Sequence, residues 1–397
     1  MIYRKVFDHD ISLLGFGLMR LPRNEDNSIN EELTEQMVDY AMEHGVNYYD
    51  TAWIYMDKRS EIVIGKILKK YPRDSYYLAD KYPGHMPAAS YDPEEIFEKQ
   101  LEKCGVDYFD FYLLHNVYEN SYANYVDPRW GIIDYFIEQK KKGRIKHLGF
   151  SSHGDLPVMK RFMDEYGEHM EFVQIQMNYL DWETQKVAEK YRYFEELGKP
   201  VIVMEPVRGG KLASLDDDTM AKLEGAGSRR SAASYAMRWM HPYGNLMTVL
   251  SGMSNMEQVI DNVAAFDHED PLNDKEAKII EETADAMGNF IPCTECRYCT
   301  SECPMELDIP DLLYKYNQLR SGVELTIKMQ LDAYPEEKQP SACIACGSCV
   351  DICPQKIAIP DELKAFDTAL GNILSWAEVS RRREEAAKKA LAANGEE

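Results

Sequence analysis

Lys103-Cys104-Gly105-Val106-Asp107-Tyr108-Phe109-Asp110-Phe111-Tyr112-Leu113-Leu114-His115 joins an amphipathic helical ending, a glycine and an apolar strand with almost no loop between them. Glycine suits the left-handed position just past a helix, so Gly105 reads as a C-cap. The same unit recurs on either side. Glu43-His44-Gly45 precedes an apolar run at 46–50, Lys142-Gly143 precedes 144–150, and Leu197-Gly198 precedes 200–204. Further strand candidates lie at 12–18, 76–79, 171–177 and 245–250. Eight strands alternating with helical stretches predict a parallel sheet, open or closed. Their span of about 260 residues suits a (β/α)8 TIM barrel, whose typical size is about 250. An open dinucleotide-binding sheet would want a Gly-x-Gly-x-x-Gly turn. Gly15-Phe16-Gly17-Leu18-Met19-Arg20 lacks the third glycine, and no Gly-x-x-x-x-Gly-Lys-Ser/Thr loop occurs.

The chain has 397 residues, with 45 basic and 68 acidic side chains and a net charge of −23. Such a field repels nucleic acid and anionic membranes, so neither is expected as a partner. It permits a basic protein partner, although plain solubility is the favoured explanation. No apolar run approaches a membrane span of about 18–20 residues, and the opening residues lack the apolar core of a signal peptide. A cytoplasmic address is the expectation.

Eight of the nine cysteines fall in two runs, Cys293-x2-Cys296-x2-Cys299-x3-Cys303-Pro304 and Cys343-x2-Cys346-x2-Cys349-x3-Cys353-Pro354. Both have the C-x2-C-x2-C-x3-C-P spacing of bacterial ferredoxins. Three closely spaced thiolates wrap one cubic cluster, and the fourth, displaced, reaches the other. Cys293, Cys296, Cys299 and Cys353 are therefore expected to hold one [4Fe–4S] cluster, and Cys303, Cys343, Cys346 and Cys349 the second. Paired zinc sites are the alternative, but zinc ribbons use separate C-x2-C knuckles. The 39 residues between Cys303 and Cys343 exceed a hairpin link. Leu312, Leu313, Tyr316 and Leu319 at helical spacing predict a helical insert at 307–320. The module thus resembles helical dicluster ferredoxins. The expected division is a barrel at 1–287, a small, mainly α-helical dicluster module at 288–375 and a charged helical tail at 376–397.

Within the barrel, Asp50, Lys81 and His115 stand at the ends of the second, third and fourth strands, with Tyr55 on the loop after the second. The C-terminal mouth of such a barrel is where catalytic groups meet. There a lysine cation would lower the pKa of a tyrosine acid, an aspartate would hold the lysine, and a histidine would orient a carbonyl. Singly, each has a plain structural role open to it: Asp50 and Lys81 as a rim ion pair, His115 as a core histidine.

Asp50-Thr51-Ala52-x-x-Tyr55, Lys81 and His115, in that order, resemble the Asp-Tyr-Lys-His tetrad of the aldo/keto reductases. Gly149-Phe150-Ser151-Ser152 is similar to that family's Gly-Val-Ser-Asn segment, and the likeness runs over about residues 13–263. The branch with a ferredoxin-like tail accounts for the rest. The resemblance implies a nicotinamide cofactor and a small carbonyl or alcohol substrate. It implies that Ser151, Ser152 and Gln174 hold the carboxamide, with Met204 where many members stack a tyrosine. It implies that Glu205 to Lys211, Gly210 among them, line the pyrophosphate, and that Asn262 meets the adenine. Members using NADPH commonly carry Lys or Arg at positions that here are Gly252 and Gln258, beside an acidic Glu257. NADH is therefore favoured unless Arg208, Arg229 or Arg230 reaches over.

The two halves handle electrons differently. A nicotinamide delivers two together, whereas a cluster moves one at a time. A flavin could split the pair, although no flavin motif is evident. Two function classes follow: an oxidoreductase wired through two clusters to a redox protein, or a nucleotide-binding redox-sensing or relay module with little carbonyl reductase activity.

Overall fold

The computed structural model describes residues 1–374 apart from 87, 120, 228, 288, 289, 321–323 and 333, together with 378, 381 and 382. The expected boundary residue Gly288 and, apart from 378, 381 and 382, the tail at 376–397 lie outside the described residues. The chain divides into two compact units, Met1–Gly288 and Asn289–Glu397.

The first unit opens with an antiparallel hairpin, β1 (Tyr3–Val6) and β2 (His9–Ser12). Eight parallel strands follow: β3 (Leu14–Gly17), β4 (Tyr48–Asp50), β5 (Tyr77–Tyr82), β6 (Phe109–Leu114), β7 (Ile145–Ser152), β8 (Val173–Gln176), β9 (Val201–Met204) and β10 (Leu246–Gly252). They close into a barrel in the order β10-β3-β4-β5-β6-β7-β8-β9. The helix before β6, Pro93–Cys104, ends on Gly105 at φ +64°, a conformation glycine adopts without steric cost. Gly45, Gly143 and Gly198 repeat that positive φ ahead of β4, β7 and β9.

The hairpin is a correction to the sequence reading, which ran one strand through 12–18. Ser12 instead belongs to β2, and the barrel strand starts at Leu14. The hairpin turn places Phe7 and Asp8 at φ 51° and 65°. Such a turn ordinarily advertises itself by Asn-Gly or Asp-Gly, and neither is present. Val6 and Phe7 pack on an interior cluster that includes Ile11, Tyr48, Phe111, Phe172 and Met247.

The second unit is helical, with no strand among its described residues. Its two cysteine runs share one backbone, fifty positions apart. Short helices Tyr298–Ser301 and Ser348–Asp351 match, as do the longer Ile309–Arg320 and Ile359–Gly371. Positive φ recurs in register at Glu295 and Ala345, Arg297 and Gly347, Glu306 and Lys356. The buried faces of the longer helices meet in one core through Leu312, Leu313, Leu363 and Phe366.

Candidate active site and candidate cluster sites

At the C-terminal mouth of the barrel the Lys81 ammonium is fully buried and has three partners. It forms an ion pair with Asp50 and donates to the Thr51 carbonyl at 2.8 Å and to the Tyr55 hydroxyl at 3.3 Å. Register explains the meeting: β4 and β5 pair Asp50 with Ala79, so Lys81 extends past Asp50 toward the loop that carries Tyr55. Leaving either ion alone in this place would cost several kcal/mol of desolvation, so the pair stands or falls together. Burial raises the Asp50 pKa, and Lys81 opposes the rise.

Tyr55 departs from expectation. Its pKa is held well above the usual phenol value, first by burial and then by Asp50, Glu205 and Asp80. The expected lowering by Lys81 is outweighed because desolvation penalises the phenolate. Tyr55 is thus protonated at neutral pH, ready to donate, with an ammonium beside the oxygen on which charge would appear.

His115 stands edge-on to Tyr55, ring centroids 5.9 Å apart. Burial first, and then His85, Lys81 and His153, hold it well below the ordinary imidazole value. It is therefore a neutral ring, suited to orienting an oxygen rather than supplying a proton. Its Nδ1 is buried and without a protein partner, an arrangement that costs about 1–3 kcal/mol.

His85 and His153 escaped the sequence reading. His85 follows Lys81 by four residues across Pro83-Gly84, and its ring lies 4.4 Å from that of His115. Burial pushes it down to about 3. His153 follows Ser152, and burial with Lys190 pushes it down to about 4. Their places just past strand ends were a usable signal. Asn116, in a left-handed conformation, ties the loops together: its amide donates to Ser151 Oγ at 2.8 Å, and its Oδ1 accepts from the His153 amide at 3.0 Å.

The nucleotide-binding candidates fare unevenly. Gln174 is buried beside Met204, with Nε2 3.6 Å from the thioether and Oε1 without a partner. That orphaned acceptor fits a carboxamide amine, so the residues present suit a nicotinamide. The Ser152 hydroxyl is engaged with the Val117 carbonyl at 2.6 Å and the Gly154 amide at 3.0 Å, which makes it a loop brace. After β9, Glu205, Arg208, Gly209 and Gly210 all take positive φ, and a side chain at Gly210 would meet nothing within 4 Å. The loop is a backbone turn opening onto free space, as phosphate-approaching loops are. Asn262 is buried and donates to Ser251 Oγ at 2.8 Å, whereas Glu257 is exposed. Arg208 pairs with Asp181 at 3.1 Å, Arg229 with Glu224 at 3.2 Å and Arg230 with Asp270 at 2.7 Å. Arg20, also missed, lays its side-chain carbons over Gly252, and its charge faces Glu205.

In the second unit, Cys293, Cys296, Cys299 and Cys353 line one recess. Cys303, Cys343, Cys346 and Cys349 line another. Each recess thus takes three thiols from one run and the fourth from the other. None of the eight forms a disulfide. Burial and the neighbouring thiols push Cys299 up, and burial pushes Cys349 up to about 11. Such crowding suits sulfurs around a cationic core. Four cysteines at each recess are a donor set that suits a [4Fe–4S] cluster, which takes four thiolates.

Barrel, mouth and cysteine module together define an oxidoreductase with an iron–sulfur domain. The aldo/keto reductase family model matches residues 13–285, and that of the 4Fe-4S dicluster domain matches 292–358. The chain belongs to the aldo/keto reductase family. It is 25% identical over 323 residues to the NADH-specific methylglyoxal reductase of Escherichia coli, covering 70% of this chain and 97% of that one. It is 25% identical over 270 residues to the NADPH-dependent alpha-keto amide reductase of Saccharomyces cerevisiae, covering 65% and 82%. Among solved structures, the holo form of an aldo-keto reductase from Bacillus halodurans is 27% identical with a TM-score of 0.56, covering 70% of this chain and 94% of that one.

Proposed function

We propose that the barrel reduces a small carbonyl compound with NADH, and that the second unit holds two [4Fe–4S] clusters through which electrons pass to or from a redox protein. The observation that carries the first part is the Lys81 ammonium, held by Asp50 and placed 3.3 Å from the Tyr55 hydroxyl. A bound nicotinamide supplies the hydride to the carbonyl carbon. Tyr55 gives its proton to the carbonyl oxygen, and Lys81 stabilises the phenolate left behind. Asp50 holds Lys81 in place, and neutral His115 directs the oxygen toward Tyr55. Aldehyde, NADH and one proton become alcohol and NAD, and bulk solvent reprotonates Tyr55.

Gln174, Ser151, Met204 and Gly210 are the residues offered to the nucleotide. NADH is preferred because Arg208, Arg229 and Arg230 are engaged with carboxylates and Arg20 faces Glu205. The two named relatives use opposite nucleotides, so kinship alone does not choose. Both are named for substrates with a second carbonyl beside the first.

Cys293, Cys296, Cys299 and Cys353 hold one cluster, and Cys303, Cys343, Cys346 and Cys349 the other. The clusters move single electrons, so coupling them to hydride chemistry needs a two-to-one-electron converter such as a flavin. Anaerobically purified protein, scanned for flavin absorbance and given NADH with a panel of aldehydes and ketones, tests the proposal. Stoichiometric conversion of carbonyl to alcohol supports the barrel chemistry. NADH binding with no carbonyl turnover across the panel would contradict it.

A further inference from the structure

Asp80 on β5 and Glu61 on the helix Ser60–Leu68 are both fully buried. Asp80 is the residue before Lys81. The register of β4 against β5 stops at Ala79, so that ladder ends two residues short of Lys81. Side chains take over there. The Lys81 amide donates to Asp80 Oδ1 at 2.8 Å, and the Lys81 carbonyl accepts from Gln100 Nε2 at 3.1 Å. Gln100 is fixed in turn by the Tyr112 hydroxyl, which donates to its Oε1. Both backbone groups of Lys81 are thus held by buried side chains.

The cluster balances only with one added proton. Glu61 Oε2 pairs with Lys103 Nζ at 2.7 Å. Glu61 Oε1 is buried without a donor, and the carboxyl bonded to that of Glu61 is Asp80. Asp50 takes the Lys81 charge, which leaves Lys103, among the described residues, as the cation facing two buried carboxyls. Tyr55, Tyr112 and Cys104 complete the ionisable surroundings, and burial keeps all three protonated. Two carboxyls in contact away from water do not both ionise; they share a proton. Burial, and then Glu61, push Asp80 well above the usual carboxylate range. Burial raises Glu61 as well, but its bond to Lys103 opposes the rise. The charge therefore rests on Glu61 and the proton on Asp80, whose hydroxyl supplies the donor that Glu61 Oε1 lacks.

We propose that Asp80 is a positioning residue for the barrel chemistry: as a neutral acid it links the Glu61–Lys103 pair to the Lys81 backbone and so sets the reach of the Lys81 ammonium to Tyr55. This rests on reading the barrel as a carbonyl reductase. Asp50 holds Lys81 by its charge, whereas Asp80 holds it by its backbone. An ionised Asp80 would turn a lone pair on Glu61, break the link and leave a buried charge without a partner.

Full-length protein, prepared anaerobically, is compared with Asp80→Asn and Asp80→Ala. The infrared difference spectrum at neutral pH, native minus Asp80→Asn, should show the carbonyl band of a protonated carboxylic acid, shifted in heavy water. Absence of that band overturns the inference whatever the activity, and leaves the reductase reading intact. Single-turnover reduction of a carbonyl that the native protein accepts, with saturating NADH, should slow about ten-fold in Asp80→Ala for one lost neutral hydrogen bond. NADH affinity should not change. Asp80→Asn should recover most of the rate, because its uncharged amide can both accept from Lys81 and donate to Glu61. Should Asp80→Ala not fold, Asp80→Val is read in the same way. A native rate in Asp80→Ala, or an equal loss in both variants, overturns the positioning role. Native protein that reduces no carbonyl overturns the reductase reading and the positioning role with it, even where the band is present.

Discussion

The Lys81 ammonium lies 3.3 Å from the Tyr55 hydroxyl and 4.8 Å from the centre of its ring, while its other bonds go to Asp50 and the Thr51 carbonyl. A phenol that burial keeps protonated thus has a fixed cation at the point where negative charge would form. Lys81→Met should abolish that stabilisation and also strip Asp50 of its partner. Removing one member of a buried pair costs about 3–5 kcal/mol. Thermal unfolding of the barrel should therefore shift down by several degrees, and activity should fall with it. An unchanged midpoint would mean that Asp50 finds another partner or a proton at no cost.

Acid should weaken the barrel through its buried histidines. His85 and His153 are pushed down to about 3 and about 4, against an ordinary value near 6.5. Between those limits the unfolded chain binds protons that the folded one refuses. Their contribution is fully present above about pH 6.5 and declines as pH falls. Each ring contributes roughly 1.4 kcal/mol of lost stability per pH unit in that window. Denaturant midpoints followed by tryptophan fluorescence from pH 7.5 to 5 should drop, and His85→Gln should flatten the slope. An identical slope in the variant would show that His85 is already charged in the fold.

The barrel was legible because its signal is local. Helical residues, a glycine and an apolar run follow one another at Gly45, Gly105, Gly143 and Gly198, and all four adopt positive φ. The cysteine runs were legible for the same reason, since spacing alone states which sulfurs share a loop. The hairpin was not, because its turn carries no glycine and Phe7 takes a left-handed conformation that a bulky residue rarely adopts. His85, His153 and Arg20 were hidden because their roles depend on which loops meet above the barrel. The Tyr55 pKa was misjudged because a charge neighbour can be named from sequence, whereas the depth of burial opposing it cannot.

Iron and sulfide content tests the cysteine assignment. Anaerobic protein should carry about eight iron and eight sulfide per chain, as two [4Fe–4S] clusters require. Cys303→Ser should damage the cluster built on Cys343, Cys346 and Cys349, in whose recess Cys303 lies. Stoichiometric zinc without sulfide would refute the cluster reading. Damage confined to the other cluster would refute the crossed assignment.

Nucleotide titration tests the electrostatics of the last-strand loop. A 2′-phosphate at Gly252 and Gln258 would meet Glu257 and a charge-matched Arg20. A missing charge-assisted bond is worth about 1.5–3 kcal/mol, so NADPH should bind ten-fold or more weakly than NADH. Tighter NADPH binding would implicate Arg20, and Arg20→Gln should then abolish the difference.

The most direct measurement is single-turnover carbonyl reduction by native protein and by Tyr55→Phe, with saturating NADH under anaerobic conditions. The substitution keeps the ring that packs beside His115 and removes only the proton. A positioned general acid contributes about 10²- to 10⁴-fold, so the rate should fall by that factor while NADH affinity and iron content hold. Near-native reduction by Tyr55→Phe would contradict the account, and the barrel would then be a nucleotide-binding platform whose mouth does not protonate a carbonyl.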